Sequence, residues 1–411
     1  MKTRSTCRLC NSTDLKLVFP MPSCPPVDNF HFAADRDVCL DSFPMDLYMC
    51  SKCGHAQLID IVPPEILFGS YIYTSSSSPD LSLHFDRYVD TLTNYKKVNH
   101  NSLVIDIGSN DGLFLSKFLN LGVKVLGIEP AEFPASMAKK IDIPTEISFL
   151  NSEIVERVLE KYGSADIVTA NNVFSHNDDL RGFALNARSL LNSEGLFVFE
   201  VSYLLSMINN KVADYIYHEH LAHHSVLPLK KFFDSIGMTL VRVDEVSTKG
   251  GSIRGYAALK SSSWIIDDSV EEMIAKEKDL GIYEIETYTR LQSFYSELKN
   301  SIHDVLLPIF NANKLIASYG ASATATVFNK MMDIDRYLSF TVDDNKLRQG
   351  RLTPSSKIPV VGNDILLTHM PEIVIISSWR FADLIIENNS EYLSAGGKFL
   401  VPQPLMNVVT N

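Results

Sequence analysis

Ser102-Leu103-Val104-Ile105-Asp106-Ile107-Gly108-Ser109-Asn110-Asp111-Gly112 is an apolar run that breaks into a glycine turn. A second apolar run, Val123 to Ile128, closes on Glu129 and Pro130. Glycine has no Cβ and tolerates positive φ, so such a turn lets backbone N–H groups approach a ligand closely. A carboxylate ending the next strand is placed to accept hydrogen bonds from ribose hydroxyls. The turn lacks the G-x-G-x-x-G that seats a pyrophosphate on a helix N-terminus. It carries Asp106, Asn110 and Asp111 instead, and acids repel a pyrophosphate but suit a cationic sulfonium with an amino-acid tail. S-adenosylmethionine has that chemistry. Its candidate ligands are Asp106, Gly108, Asn110, Asp111, Gly112, Glu129 and Pro130, joined by Asn171 and Asn172 at the end of a later run.

Outward from this turn, strand and helix patterns alternate. A helical stretch from Pro79 to Tyr95 leads in, and strands are expected at Leu103 to Ile107, Val123 to Ile128, Ile167 to Asn171 and Leu196 to Val201. That order predicts a doubly wound parallel sheet with helices on both faces. Thr239 to Val246 and Ser252 to Leu259 are spaced as a terminal antiparallel pair. A charged helical stretch, Ser269 to Ile302, then connects to a second alternation: Leu315 to Tyr319, Leu338 to Val342, Ile373 to Ser377 and Lys398 to Val401. This predicts a C-terminal Rossmann-like α/β domain, with a glycine turn at Gly320 and an acid pair at Asp343-Asp344. The expected division is 1–68, 69–262 and 263–411.

The chain of 411 residues is long enough for two or three domains with sizeable cores. Its net charge of −12 disfavours nucleic acid or an anionic membrane as partner, because phosphate binding is dominated by basic surface. With no signal-type N-terminus and no apolar run near the length of a membrane span, the expectation is a cytoplasmic protein. Nothing in the pattern forces an oligomer, and a monomer is expected.

Cysteines in a chain of that location are metal ligands more often than disulfides. Cys7-x-x-Cys10 and Cys50-x-x-Cys53 form two knuckles, and four thiolates complete a closed tetrahedral zinc shell. A closed shell leaves no position for substrate, so this zinc is expected to be structural. Two pairs rather than one argue against a redox dithiol. Cys24 and Cys39 are expected to be free thiols. The segment around the knuckles is proline-rich and short of periodicity, as suits a small module that a metal staples together.

His218, His220, His223 and His224 crowd into one short loop of a chain with 11 histidines. Two uses fit: a zinc or iron site, or general acid–base work tuned by a neighbouring carboxylate such as Glu219. Further polar clusters lie at Asn171-Asn172-Val173-Phe174-Ser175-His176, beyond a strand end where α/β ligands bind, and at Gly69-Ser70-Tyr71-Ile72-Tyr73-Thr74-Ser75.

The order of the cysteine knuckles, Tyr-x-Tyr-x-Ser, Gly-x-Asn-Asp-Gly, Asn-x-x-x-His, Tyr217-His218-Glu219-His220, Gly250-Gly251-Ser252-Ile253-Arg254 and Tyr319-Gly320-Ala321 resembles the sugar C-methyltransferases of deoxysugar biosynthesis, over nearly the whole chain. Those enzymes methylate C3 or C5 of thymidine-diphosphate 4-keto-6-deoxyhexoses. The resemblance implies methylation of a carbon alpha to the ketone of a nucleotide-linked sugar through an enolate, with C3 the first choice. It implies His220 as general base, Tyr217 and Glu219 positioning it, and His176 with Tyr71 or Tyr73 near the substrate oxygen. It also implies that Tyr319-Gly320-Ala321-Ser322-Ala323 lies near the diphosphate. Thr324, Ala325, Lys249 and Arg380 depart from the family's usual residues, which points to an altered nucleotide or sugar. Two other functions share this sequence pattern: O- or N-methylation of a small molecule on the same scaffold, and nucleotide binding by a non-catalytic zinc protein.

Overall fold

The computed structural model describes residues 1–32, 41–63, 66–67, 74–77 and 79–411. Its largest sheet has seven strands: β1 (Leu103–Ile107), β2 (Lys124–Ile128), β3 (Thr145–Glu146), β4 (Ala165–Asn171), β5 (Leu191–Ser202), β6 (Met238–Val246) and β7 (Ser252–Leu259). They lie side by side as β3-β2-β1-β4-β5-β7-β6. β1 to β5 are parallel, and β7 runs antiparallel to both β5 and β6. The alternation expected from sequence is therefore present, with β3 added at the edge. Only two residues long, β3 carries no apolar run to announce it.

The central strands are buried on both faces, which is why they read as continuous apolar runs rather than alternating ones. Leu103, Ile105 and Ile107 of β1 enter the largest core cluster, while Val104 joins Phe114, Phe118, Ile167 and Val198 on the opposite face. The helix Pro79–Tyr95 covers that second face through Phe85, Tyr88, Val89 and Leu92. Strand order reverses between β1 and β4, and their carboxyl ends leave a crevice there, the usual ligand position of an open α/β sheet.

The charged connecting stretch forms two helices, Ser269–Asp279 and Ile285–Asn311, parted around Gly281. A second sheet follows, with strands β8 (Ile316–Tyr319), β9 (Phe340–Val342), β10 (Val360–Val361), β11 (Ile373–Ile376), β12 (Phe399–Val401) and β13 (Asn407–Val409). Its order is β10-β9-β8-β11-β12-β13, parallel except for β13. It too reverses beside a glycine turn, between β8 and β11.

Near the N-terminus, Leu15–Phe19, Leu47–Cys50 and Ala56–Leu58 form an antiparallel sheet. Its fourth strand is Ala222–His223, from the histidine-rich loop far along the chain. The N-terminal module also pairs His31–Phe32 with Arg351–Leu352 of the C-terminal part, and Gln292 Nε2 donates to the Val18 carbonyl at 2.7 Å. Among the described residues no helix is long and apolar enough to cross a membrane.

Candidate active site

The glycine turn after β1 is fixed by its own acids. Gly108 has φ +71°, and a Cβ there would meet Val173 Cγ2 at 2.4 Å, so glycine is required. Glu129, at the end of β2, accepts from the Asn110 N–H at 2.9 Å and from the Ala131 N–H at 2.8 Å. Burial pushes its carboxyl above the usual range, while those two bonds resist. Asp106 accepts from Thr169 Oγ1 at 2.6 Å and Asn171 Nδ2 at 3.3 Å, tying β1 to β4. Burial, offset by the Thr169 bond, raises its carboxyl to about 7. Asp111 faces the other way: its Oδ2 accepts the Ser76 N–H at 2.8 Å. The Oδ1 of Asn110 similarly accepts the Ser75 N–H at 2.9 Å, drawing the chain before helix Pro79–Tyr95 over the turn.

Asp106, Asn110, Glu129 and Asn171 thus meet at the ends of β1, β2 and β4, while Asp111 points toward Ser76. Gly112 begins helix Leu113–Leu119 with φ +79°, and Asn172 takes φ +57° where its N–H bonds the Glu200 carbonyl at 2.8 Å. Pro130 follows Glu129 at the same edge. The side-chain oxygen of Asn171 is buried without a partner among the described residues, an acceptor suited to a ligand's donor. These residues fit S-adenosylmethionine, the protein's cofactor: acids beside a cation, a carboxylate level with a ribose, and an open acceptor.

A polar cluster around Glu200 completes this edge, and Glu200, His84 and Tyr88 in it escaped the sequence reading. Glu200, near the end of β5, binds Arg254 Nη2 at 2.8 Å and His84 Nε2 at 2.8 Å, and accepts from Thr248 Oγ1 at 3.2 Å. Burial alone would raise the Glu200 carboxyl, but the His84 and Arg254 contacts bring it below its ordinary range. The Arg254 guanidinium lies 3.3 Å over the Tyr88 ring. The available signal was a lone acid inside the apolar run Leu196 to Val201.

The histidine loop lies beside this crevice. The turn Ala213–Tyr215 opens it, and Tyr295 fixes the turn by accepting the Ala213 N–H at 2.9 Å and donating to the Lys211 carbonyl at 2.6 Å. The Tyr215 carbonyl accepts from His220 Nδ1 at 2.7 Å. The His220 ring has centroids 4.1 Å from Tyr217, 5.8 Å from Tyr215 and 5.3 Å from His176. Burial, reinforced by Lys249 and opposed by the Tyr215 bond, lowers His220 to about 4. Burial also holds His176 well below the ordinary range, with His220 and Lys249 adding to the effect. Burial, with Asp28 adding to it and Lys249 opposing, raises Glu219 to about 8, so it holds a proton at neutral pH.

His218 is turned away, with Nε2 on the Phe43 carbonyl at 3.1 Å. His223 and His224 are packed inward, and the His224 ring stacks on Phe174 at 5.1 Å and 5°. The four histidines do not converge: among the described residues, the only side-chain cluster arranged to hold a metal is the cysteine set. Tyr71 and Tyr73 lie outside the described residues.

Asp28 and Lys249 keep solvent-reachable surface, yet surrounding protein is the largest influence on both charges. Asp28, from the N-terminal module, acts on Glu219 and lies 3.6 Å from Arg348, which lies 3.5 Å from Asp343 beyond β9. These charged residues come from all three parts of the chain. In the turn after β8, Gly320 has φ +107°, and a Cβ there would meet Ser378 Oγ at 2.0 Å. The Ala321 N–H donates to Asp343 Oδ2 at 2.7 Å, repeating the Asn110–Glu129 arrangement. Arg380, one of the departures from the family's usual residues, is paired with Asp214 at 3.0 Å.

Cys7, Cys10, Cys50 and Cys53 place their sulfurs within 4.8 Å of one another. Cys7–Cys53 and Cys10–Cys50 are each 3.6 Å apart. A tetrahedral zinc with bonds of about 2.3 Å sets sulfurs about 3.8 Å apart, so the set fits. Contact with Cys53 lowers the Cys7 thiol to about 5, while burial pushes Cys10 up to about 11. Such unequal thiols become four equivalent thiolates only around a dication. Zinc held this way is structural. Cys24 is a buried free thiol pushed up to about 12, and Cys39 lies outside the described residues.

Three family models match in series: a putative zinc binding domain over 7–68, a methyltransferase domain over 85–243 and a C-methyltransferase C-terminal domain over 247–404. The C-methyltransferase NovU of Streptomyces niveus is 29% identical over 405 residues, 98% of this chain and 96% of its own. A ubiquinone biosynthesis O-methyltransferase of Colwellia psychrerythraea is 28% identical over 113 residues, 26% of this chain and 46% of its own. Among solved structures, a magnesium protoporphyrin IX methyltransferase from Synechocystis with bound SAM aligns at TM-score 0.34 and 15% identity, over 47% of this chain and 88% of its own.

Proposed function

As an S-adenosylmethionine-dependent C-methyltransferase with a zinc-binding module and a C-methyltransferase C-terminal domain, the protein moves a methyl group onto carbon, and we propose that this carbon lies beside the ketone of a nucleotide-linked 4-keto-deoxysugar, C3 in the first instance. We take the working units as 1–68, 69–262 and 263–411, with the nucleotide carried by the last.

One observation carries this reading: the Tyr215 carbonyl holds His220 Nδ1 as a donor, which leaves Nε2 as the basic nitrogen, with the His176 ring 5.3 Å away. O- or N-methylation forms no enolate, whereas a carbon beside a ketone must lose a proton while its oxygen is stabilised.

S-adenosylmethionine, when bound, supplies an electrophilic methyl group on a cationic sulfur. Asp106, Gly108, Asn110, Gly112, Glu129, Pro130, Asn171 and Asn172 would hold it, with Asp111 bracing the turn through Ser76. His220 Nε2 removes the proton from the substrate carbon. Tyr217, packed on the His220 ring, and Glu219 keep base and sugar in register. His176, neutral at working pH, and Tyr71 or Tyr73 donate hydrogen bonds to the developing enolate oxygen. The rest is orientation, since holding two reactants in line supplies a large share of the barrier reduction.

The test is incubation with nucleotide 4-keto-sugars in deuterated water, read by mass spectrometry. The wild-type protein should place deuterium at one carbon without the methyl donor, and His220→Asn should slow that exchange by about 100- to 10,000-fold, the range of a lost general base. Near-normal turnover by His220→Asn would remove the base and favour O- or N-methylation.

A further inference from the structure

Arg380 belongs to the C-terminal domain, in the short helix Trp379–Phe381 after β11. Its Nη1 lies 3.0 Å from Asp214 Oδ2 and 3.2 Å from Oδ1. Asp214 is in the turn that opens the histidine loop, and the pair is nearly closed to water, with side-chain exposures of 18% for Arg380 and 2% for Asp214. The same guanidinium sits 5.0 Å over the Tyr215 ring and 4.8 Å over Trp379. Tyr215 supplies the carbonyl that fixes His220 Nδ1. One cation from the C-terminal part therefore meets both Tyr215, whose carbonyl holds His220, and the residue before it.

The energetics favour a link that is either whole or lost. Burial pushes the Asp214 carboxyl up, and Arg380 is the first influence opposing it. Removing one partner of a buried pair leaves the other without its counter-charge. The Ala213 N–H bond to Tyr295 keeps the turn attached to the long helix, so losing Arg380 alters how the turn is aimed without unfolding it.

We propose that Arg380 is a positioning residue: its pair with Asp214 transmits the docking of the C-terminal domain to the turn that aims His220, so the base is in register only when that domain is seated. The proposal rests on the reading of His220 as base. It gives Arg380 a task separate from contact with the nucleotide.

The test compares Arg380→Asn, Arg380→Lys and Asp214→Asn in the full-length zinc-loaded protein. Hydrogen-exchange mass spectrometry reads protection across 213–220, titration reads S-adenosylmethionine affinity, and deuterium uptake by the nucleotide 4-keto-sugar panel reads the base. Arg380→Asn and Asp214→Asn should bind the cofactor as wild type does, yet lose protection over 213–220. Their exchange kcat should fall by about 100-fold, the size of effect that a displacement of about 1 Å produces. KM should stay within about threefold, as for an interaction that does not bind the ground state. Arg380→Lys should restore most of the rate and the protection. Wild-type protection and rate in Arg380→Asn would overturn the proposal, and so would a loss confined to KM, which marks a substrate-binding cation. If the wild-type protein exchanges no sugar proton, the base reading fails on its own, and protection over 213–220 still decides the link.

Discussion

The Nδ1 of His220 lies 2.7 Å from the carbonyl oxygen of Tyr215. A carbonyl oxygen only accepts, so the hydrogen of the neutral ring is on Nδ1 and a substrate proton has Nε2 to go to. Burial holds this histidine at about 4, below its ordinary 6.5. A base works unprotonated, so kcat/KM should climb with pH through a limb near 4 and stay level through neutrality. Lys249→Gln removes a cation that depresses His220 and should move that limb upward. A limb at 6.5 in the unaltered protein would give the base role to a group in solvent.

Glu129 gathers the Asn110 and Ala131 N–H groups at the turn. Glu129→Ala loses that brace and the acceptor for the ribose together. S-adenosylmethionine affinity should fall by about 10- to 100-fold, matching about 1.5–3 kcal/mol for a hydrogen bond to a charged group. Calorimetric titration measures it, and an unchanged affinity would separate Glu129 from the donor.

The zinc sulfurs flank the sheet that includes Ala222–His223. Cys50→Ser should abolish stoichiometric zinc and raise hydrogen exchange at 56–58 and 222–223. Cofactor binding on the central sheet should stay within about threefold, since sites that share no partners act independently. Metal analysis with exchange mass spectrometry checks both, and unaltered protection at 222–223 would show that the module folds without its metal.

His224 is fully buried, stacked on Phe174, and pushed down to about 3 by burial. The unfolded chain's histidine takes up a proton near 6.5, so between these values the unfolded state holds more protons. The corresponding stability is present above pH 6.5 and drains away as pH falls toward 3. His224→Phe should therefore gain on wild type by up to about 1.4 kcal/mol for each pH unit below 6.5. Denaturant midpoints at pH 8 and pH 5 measure this. A difference independent of pH would mean that folding leaves the titration of His224 unshifted.

The cofactor edge was legible because its residues are close together in sequence and its strands are buried on both faces, so each appears as an unbroken apolar run. The helix Pro79–Tyr95 was read to its end residues. What stayed hidden depends on distant partners. Nothing near Ala222–His223 says that it pairs with Ala56 and Gln57. Arg380 stood out only as a departure from the family's residues, because its partner, Asp214, is remote in sequence. The histidine loop gave away its chemistry but not its division of labour: His220 meets Tyr215 and His176, while His224 is a packing ring.

The two residues lent to the N-terminal sheet make ligand titration a misleading assay of competence. A batch short of zinc would still fill its donor crevice and look intact by stoichiometry, while its histidine loop had lost one of its moorings. Specific activity should therefore follow the metal-to-protein ratio of a preparation rather than its capacity for S-adenosylmethionine.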